Sequence, residues 1–474
     1  MFLPRVLLLV SALVGVVSSQ SPPPGFSYQP LSVGQLSSAT AMAFLPDGRL
    51  LLTERETGLV RVWKDGALRT TPWAALPVSS GGTFAEQGLL GIAVDPAFLT
   101  NGYVYVYYTK TSGTENAIAR LTDSGGVGTN LTVLNPPGTI PSQLYHNSGA
   151  MTIGLDGMLY VAVGDALSAG NAQDLTNWLG KVLRFTLPNL GVPASNPFPG
   201  NPIFSLGHRN SFGLTTHPVS GSIYQTENGG ALMDEVNRIT AGGNYGWPQF
   251  EGLEPVQNTN FNDPLAGYAP TVAPTGTCFY SGDHYPPQYR NAWFFADYNL
   301  NRIRMLTLNA AGSAVVAATA FDTLNGSGYG IVSGPDGNLW YLCNDNGGFG
   351  GNELGRYTHV NEPLPSAQLS SVSFKTLGAS VTACVRAHNG EVAVPWLSLS
   401  RYPSPFATPF GNLWVPPDAL MPMLGIVGDN RAYYAAAIPN VPTFLGASIH
   451  LQAVTLTLAG QLVLTNPSEL VVRG

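Results

Sequence analysis

The side chains of this chain best suited to chemistry fall in three short polar clusters. Glu86-Gln87 lies five to six residues before Ile92, His146-Asn147 six to seven before Ile153, and His208-Arg209-Asn210 four to six before Leu214. Each cluster leads into an apolar, strand-like run. Similar offsets before equivalent strands bring such groups together around one axis when the strands form a closed radial array. His146, in YHNSGAM, is a natural general base for an alcohol proton near neutral pH, and the small Ser148-Gly149-Ala150 that follow let a ligand approach. Asp165 ends the next hairpin, in VGD, at a place from which it can orient the imidazole. Arg209 keeps its proton and can stabilise a developing oxyanion. A second concentration spans Thr226–Pro248, where Gly229-Gly230 exposes backbone carbonyls and Asp234-Glu235 adds carboxylates. Hard oxygen donors of this kind suit Ca²⁺, although their order is not that of an EF-hand loop. Hydrolysis finds no convincing nucleophile or paired carboxylates here.

The elements that must position these groups form a repeat. Similar strand-turn-strand signals begin at Ala43 (AFLPDGRLLLTE), Ile92, Ile153 (IGLDGMLYVAVGD), Leu214, Gly276 and Ile331 (IVSGPDGNLWYLCND). Asp-Gly pairs at 47–48, 156–157 and 336–337 mark tight hairpins, because such turns need positive φ. The starts are about 50 to 60 residues apart, and further strands fit between them. Six units of about four strands each predict an all-β fold headed by a six-bladed β-propeller, residues 20–360. A Pro-containing linker follows at 361–367. Residues 368–474 alternate apolar and small polar side chains and carry few charges, which predicts a C-terminal β-sandwich with an accessory role.

Composition agrees. Charged residues make up 10% of the chain, against about 25% in ordinary soluble proteins. With 55 Gly and 38 Pro, a helical bundle is disfavoured, and 44% hydrophobic residues exclude disorder driven by charge. A net charge of −7 and only four lysines, Lys64, Lys110, Lys181 and Lys375, exclude nucleic acid as the expected partner. Residues 1–19 have the pattern of a cleaved signal peptide, with Arg5 ahead of the apolar Val6–Val17 and small residues at Val17-Ser18-Ser19. No later stretch has the length of a transmembrane segment. The expected location is therefore secreted or periplasmic. Cys278, Cys343 and Cys384 read best as buried small apolar side chains, with one disulfide as the alternative.

The segments GLLGIAVDPAF, HNSGAMTIGLDGMLYVAVGD, GHRNSFGL, DEVNRITAGGNYGWP and APTGTCFYSGD resemble the glucose/sorbosone dehydrogenase family over roughly residues 30–358. That family comprises soluble pyrroloquinoline quinone (PQQ)-dependent aldose sugar dehydrogenases and hedgehog-interacting-protein-like propellers. The resemblance implies that His146 takes the proton of the anomeric hydroxyl while the C1 hydride passes to the quinone. It implies that Arg209 and Asn210 contact PQQ, that carbonyls of Gly229 and Gly230 hold a Ca²⁺, and that a second, structural Ca²⁺ lies near Glu235 and Tyr245. Glu86, or Gln87 one position on, takes the place of a quinone-contacting glutamine. The chain also departs from the family. Asn299, Ser327 and Tyr329 stand where the enzymes carry a lysine and two arginines facing the quinone carboxylates. Arg302 or Arg304 is the expected substitute.

The reading is a PQQ- and calcium-dependent oxidoreductase acting on an aldose or oligosaccharide and passing electrons to a soluble acceptor. The alternative is a non-catalytic propeller that binds glycan or protein.

Overall fold

The computed structural model describes residues 22–359 apart from 135–137, 254–259, 283, 324–325 and 345–349, and beyond 367 chiefly the strands. The signal peptide expected at 1–19 and the linker at 361–367 lie outside the described residues. The fold is all-β. Six antiparallel sheets, each with a main path of four strands, stand around one axis. Their innermost strands are Ala39–Phe44, Leu89–Val94, Met151–Ile153, Asn210–Thr216, Pro274–Phe279 and Ser327–Ser333. Each inner strand abuts the next, and the sixth abuts the first. This is the six-bladed propeller that the repeat predicts.

The three Asp-Gly turns share one construction. Gly48, Gly157 and Gly337 have φ of 85°, 72° and 75°. The aspartate before each accepts the backbone N–H two residues on, from Arg49, Met158 and Asn338. A side chain at these glycines would be strained by the positive φ, which explains the recurring dipeptide.

Ring closure is the feature the repeat does not reveal. The fourth strand of blade six is Phe26–Ser32, which pairs antiparallel with Glu353–His359, so the two ends of the propeller share one sheet. Aromatic packing backs this closure. Phe26 meets Tyr285, Tyr289 and Phe321 edge-on at centroid distances of 4.6–5.0 Å. Each such pair adds about 0.5–1.5 kcal/mol beyond burial. Cys278 and Cys343 belong to the same apolar cluster. All three cysteines are buried and no disulfide joins them.

Beyond residue 367 the described strands form a three-stranded sheet (Gln368–Ser371, Ser380–Arg386, Arg431–Ala437) and a larger one built around Val392–Ser398 and Ser448–Leu456.

Candidate active site

The three polar clusters meet at the end of the propeller where the inner strands begin. His146 Nδ1 lies 2.6 Å from Asp165 Oδ1. Asp165 Oδ1 also accepts the Leu167 N–H at 2.9 Å, and its Oδ2 accepts the indole N–H of Trp247 at 2.9 Å. Asp165 is 1% exposed, so an ionised carboxylate there acts only as an acceptor. It holds the proton of a neutral imidazole on Nδ1 and leaves the Nε2 lone pair free. The arrangement is an imidazole oriented by a buried carboxylate that is itself oriented by a residue of blade four.

The backbone is shaped for this purpose. His146 and Ser148 have φ of 59° and 53°, and Ala166 and Leu167 have 53° and 62°. Non-glycine residues in the left-handed region are uncommon and concentrate at functional sites. The two turns touch backbone to backbone: a Cβ on Gly164 would lie 2.1 Å from the His146 carbonyl oxygen.

Glu86 ties the clusters together. Its carboxylate accepts the His146 backbone N–H at 2.6 Å and the Asn210 amide at 3.1 Å, and Asn210 Oδ1 accepts the Ser148 hydroxyl at 3.1 Å. Burial pushes the Glu86 carboxyl above the usual range, while the nearby imidazole and the Asn210 bond pull it back. Gln87 points elsewhere. Its amide donates to Gly113 O and Ser142 Oγ inside blade two. Of the two alternatives, Glu86 is therefore the residue on the wall. It lines an axial cavity of about 40 Å³ with Arg55, Ser148, Phe212, Thr275 and Tyr329. That volume holds a water or two, so substrate and cofactor would have to lie at the mouth above it.

Arg209 is fixed at that mouth. Its backbone N–H donates to Glu227, its guanidinium donates to Asn228 O at 3.2 Å, and it lies over the Trp247 ring at 5.5 Å. The adjacent His208 is structural, held between Ser205 Oγ (2.8 Å) and Glu227 (2.9 Å) and stacked on Tyr245.

The oxygen-rich segment divides in two. Asp234 is used by the backbone, accepting N–H groups of Gly229 (2.9 Å), Val272 (2.6 Å) and Ala273 (2.7 Å). It fastens the loop between blades four and five through these three backbone N–H groups, one on Oδ1 and two on Oδ2. Glu235 differs. It is paired across the strands with Glu227, while Gln225 pairs with Asn237 beside them. Burial, then the neighbouring Glu227 charge, push Glu235 up to about 8. The side-chain carbonyl oxygens of Gln225, Asn228 and Asn237 are buried without a hydrogen-bond donor. Those of Gln225 and Asn237 share the strand face of Glu227 and Glu235, an oxygen-rich set that fits a hard cation such as Ca²⁺. The Tyr245 hydroxyl is committed to Arg238 O and Thr240 N, which leaves its backbone carbonyl as a ligand. Among the described residues no group of three or more His, Cys, Asp and Glu side chains is placed to hold a metal, so such a site would draw on amide and backbone oxygens.

Arg302 is not at the mouth. It begins the third strand of blade five, two strands out from the axis, and lines a separate groove between blades four and five. With strands about 4.8 Å apart, that position is about 10 Å further out than the inner strand. Arg304 is ion-paired with Asp297 at 2.7 Å. Tyr329 lines the axial cavity, whereas Asn299 sits in the turn between the second and third strands of blade five, bonded to the Thr271 carbonyl. The sequence did not single out Trp247 or Arg55. Trp247 lies in the NYGWP stretch, where a large aromatic beside glycines was the available signal. Arg55 is 2% exposed, and its guanidinium is capped by carbonyls of Ser80, Gly82, Thr83 and Gln87 and by Glu56.

Lys181 braces the base from behind. It is fully buried and donates to the carbonyls of Asn171 and Leu179, both at 2.7 Å, while Asn171 in turn donates to Asp165 O. Burial pushes its ammonium down to about 7 from 10.5. Between those values the unfolded chain binds a proton that the folded chain releases, so stability rises with pH across that window. The gain is on the order of 5 kcal/mol. Thermal melts from pH 7 to 10 should show this rise in the wild type relative to Lys181→Met, in which the slope flattens.

The chain is thus a six-bladed propeller with a histidine oriented by a buried carboxylate at the entry to its axis. The glucose/sorbosone dehydrogenase family model matches residues 36–350, and the chain belongs to that family. It is 27% identical to aldose sugar dehydrogenase YliI of Escherichia coli, over 66% of this chain and 89% of that protein. It is 32% identical to quinoprotein glucose dehydrogenase B of Acinetobacter calcoaceticus, over 47% of this chain and 52% of that one. The PQQ-bound aldose sugar dehydrogenase of Streptomyces coelicolor superposes with a TM-score of 0.59 at 29% identity, covering 71% of this chain and 99% of that one.

Proposed function

We propose that the protein is a PQQ- and calcium-dependent dehydrogenase that oxidises the anomeric C1–OH of an aldose, free or at the end of an oligosaccharide, to the lactone. The observation that carries this reading is the Trp247–Asp165–His146 series beside Arg209 and Asn210. His146 Nε2 takes the hydroxyl proton, and Asp165 holds the resulting imidazolium in place. Arg209 and Asn210 would hold the carbonyl edge of the quinone, with Arg209 supplying fixed positive charge where negative charge grows. The chemistry PQQ supplies when bound is acceptance of the C1 hydride and its two electrons; a soluble acceptor then removes them. Carbonyls of Gly229 and Gly230 would hold one Ca²⁺. Glu235 and the Tyr245 carbonyl would hold the second. A Cβ on Gly230 would lie 2.2 Å from the Glu251 carboxylate and 3.0 Å from the Trp247 ring, so the loop is closely packed there.

Export by the leader at 1–19 fits the family reading. No helix among the described residues is long and apolar enough to cross a membrane. The C-terminal sheets suit an accessory sandwich.

Adding PQQ and Ca²⁺ to the purified chain should produce dye reduction with aldoses; absence of turnover with every aldose tried would defeat the proposal. Chelation should lower Tm, and Ca²⁺ but not Mg²⁺ should restore it, because the neighbouring Glu227 and Glu235 carboxylates and the buried amide oxygens beside them suit a large hard cation. Glu235→Gln should weaken that calcium response.

One observation favours a second reading, a propeller that binds a glycan or protein without turnover. Glu86 puts an acid on the cavity wall, and Asn299, Ser327 and Tyr329 carry no positive charge opposite a cofactor with three carboxylates. This reading predicts calcium-stabilised folding with no quinone binding.

A further inference from the structure

The groove that holds Arg302 has features of a ligand site of its own. It measures about 240 Å³ and lies between Tyr268 and Pro270 of blade four's edge and the outer strands of blade five. Arg302, Arg304 and Leu306 share one face of the third strand. The opposite positions on the edge strand include Ala320 and Ala318, paired with Arg304 and Leu306. These small residues leave the space open, and Pro270 and Leu300 complete apolar walls.

Its charge is unbalanced. Asp297 is fully buried and bound to Arg304 through Nε at 2.8 Å and through the salt bridge, and Arg304 also lies 4.8 Å over the Tyr268 ring. Asp297 feels both arginines, but its hydrogen bonds come from Arg304 and from the Leu300 backbone N–H, and none from Arg302. Arg302 Nε is buried with no hydrogen-bond partner. Two guanidinium groups and one carboxylate sum to one positive charge in a chain of net charge −7. A buried guanidinium nitrogen without an acceptor is costly, and a planar carboxylate is its natural complement.

We propose that this groove is a second ligand site, separate from the axial one, that takes a small monocarboxylate with a compact apolar body and seats the carboxylate on Arg302. The volume lies below the roughly 300–1,000 Å³ of drug-sized sites, which suits a single ring or a short alkyl chain. The walls offer few partners for hydroxyl groups, which disfavours a sugar acid: a polyol would lose its hydrogen bonds to water.

The test is calorimetric titration of the full chain with benzoate and hexanoate, and with benzamide and gluconate as controls. Benzoate should bind the wild type, bind at least about tenfold more weakly to Arg302→Gln, and recover partly in Arg302→Lys. Ala318→Phe, which fills the groove without touching the charge, should also abolish binding. Benzamide and gluconate should not compete. Unchanged melting temperatures of the variants establish that folding is intact. The proposal is overturned if benzoate does not bind the wild type, if both groove variants bind it normally, if benzamide binds as well as benzoate, or if gluconate is preferred.

Discussion

Replacing His146 by glutamine should lower kcat/KM for aldoses by about 10²–10⁴-fold while leaving quinone affinity within about twofold. Glutamine keeps a side chain of similar length but offers no base at the Nε2 position. Affinity for the quinone should persist because Arg209 is held by Glu227, Asn228 and Trp247, none of which depends on the imidazole. The fold should persist too. Asp165 keeps its bonds from Leu167 and Trp247, so the loss is one hydrogen bond to a carboxylate, about 1.5–3 kcal/mol. Steady-state kinetics with dye acceptors, set beside a quinone titration of the same variant, check both halves. Equal loss of binding and turnover would mean that His146 is part of the cofactor seat and not the base.

Asp165→Asn should be nearly as damaging to turnover, about 10²–10³-fold, for a different reason. The carboxylate accepts from three donors: His146 Nδ1–H, Leu167 N–H and Trp247 Nε1–H. An amide cannot satisfy all three. If its oxygen faces Trp247, its NH₂ faces His146 and forces the proton onto Nε2, where the imidazole no longer acts as a base. If its oxygen faces His146, two donors confront each other at Trp247. Asp165 is a positioning residue, so the decisive readouts are the imidazole tautomer and the split between kcat and KM. The ¹⁵N spectrum of His146 should show the proton on Nδ1 in the wild type and on Nε2 in the variant, with kcat falling and KM little changed. A structural role alone would lower the amount of active protein and leave the tautomer in place.

Much of this site was legible because its parts sit at fixed offsets before repeated strands. His146, Arg209, Asn210 and Glu86 are each placed by the strand that follows, and a repeat read from Asp-Gly turns is enough to align them. Partners from another blade are not local in this sense. Trp247 reaches Asp165 across 82 residues, and Phe26–Ser32 completes a sheet with Glu353–His359 from the far end of the propeller. No periodicity announces either. Glu86 and Gln87 could not be told apart in sequence because adjacent loop residues point in directions set by the backbone around Gly88, whose φ is 130°. Arg302 misled because it does lie at the correct end of its blade, and only its rank in the sheet, third from the axis, removes it from the mouth. The backbone role of Asp234 was not legible, because a carboxylate in a glycine-rich turn serves a backbone as readily as a cation.

The most direct measurement is anaerobic rapid mixing of the chain, loaded with PQQ and Ca²⁺, against an aldose while the quinone absorbance is followed. The account predicts a sugar-dependent, first-order loss of the oxidised quinone spectrum in the wild type, slowed at least about 100-fold in His146→Gln. A quinone that fails to bind, or that binds and keeps its oxidised spectrum with every aldose offered, would contradict it.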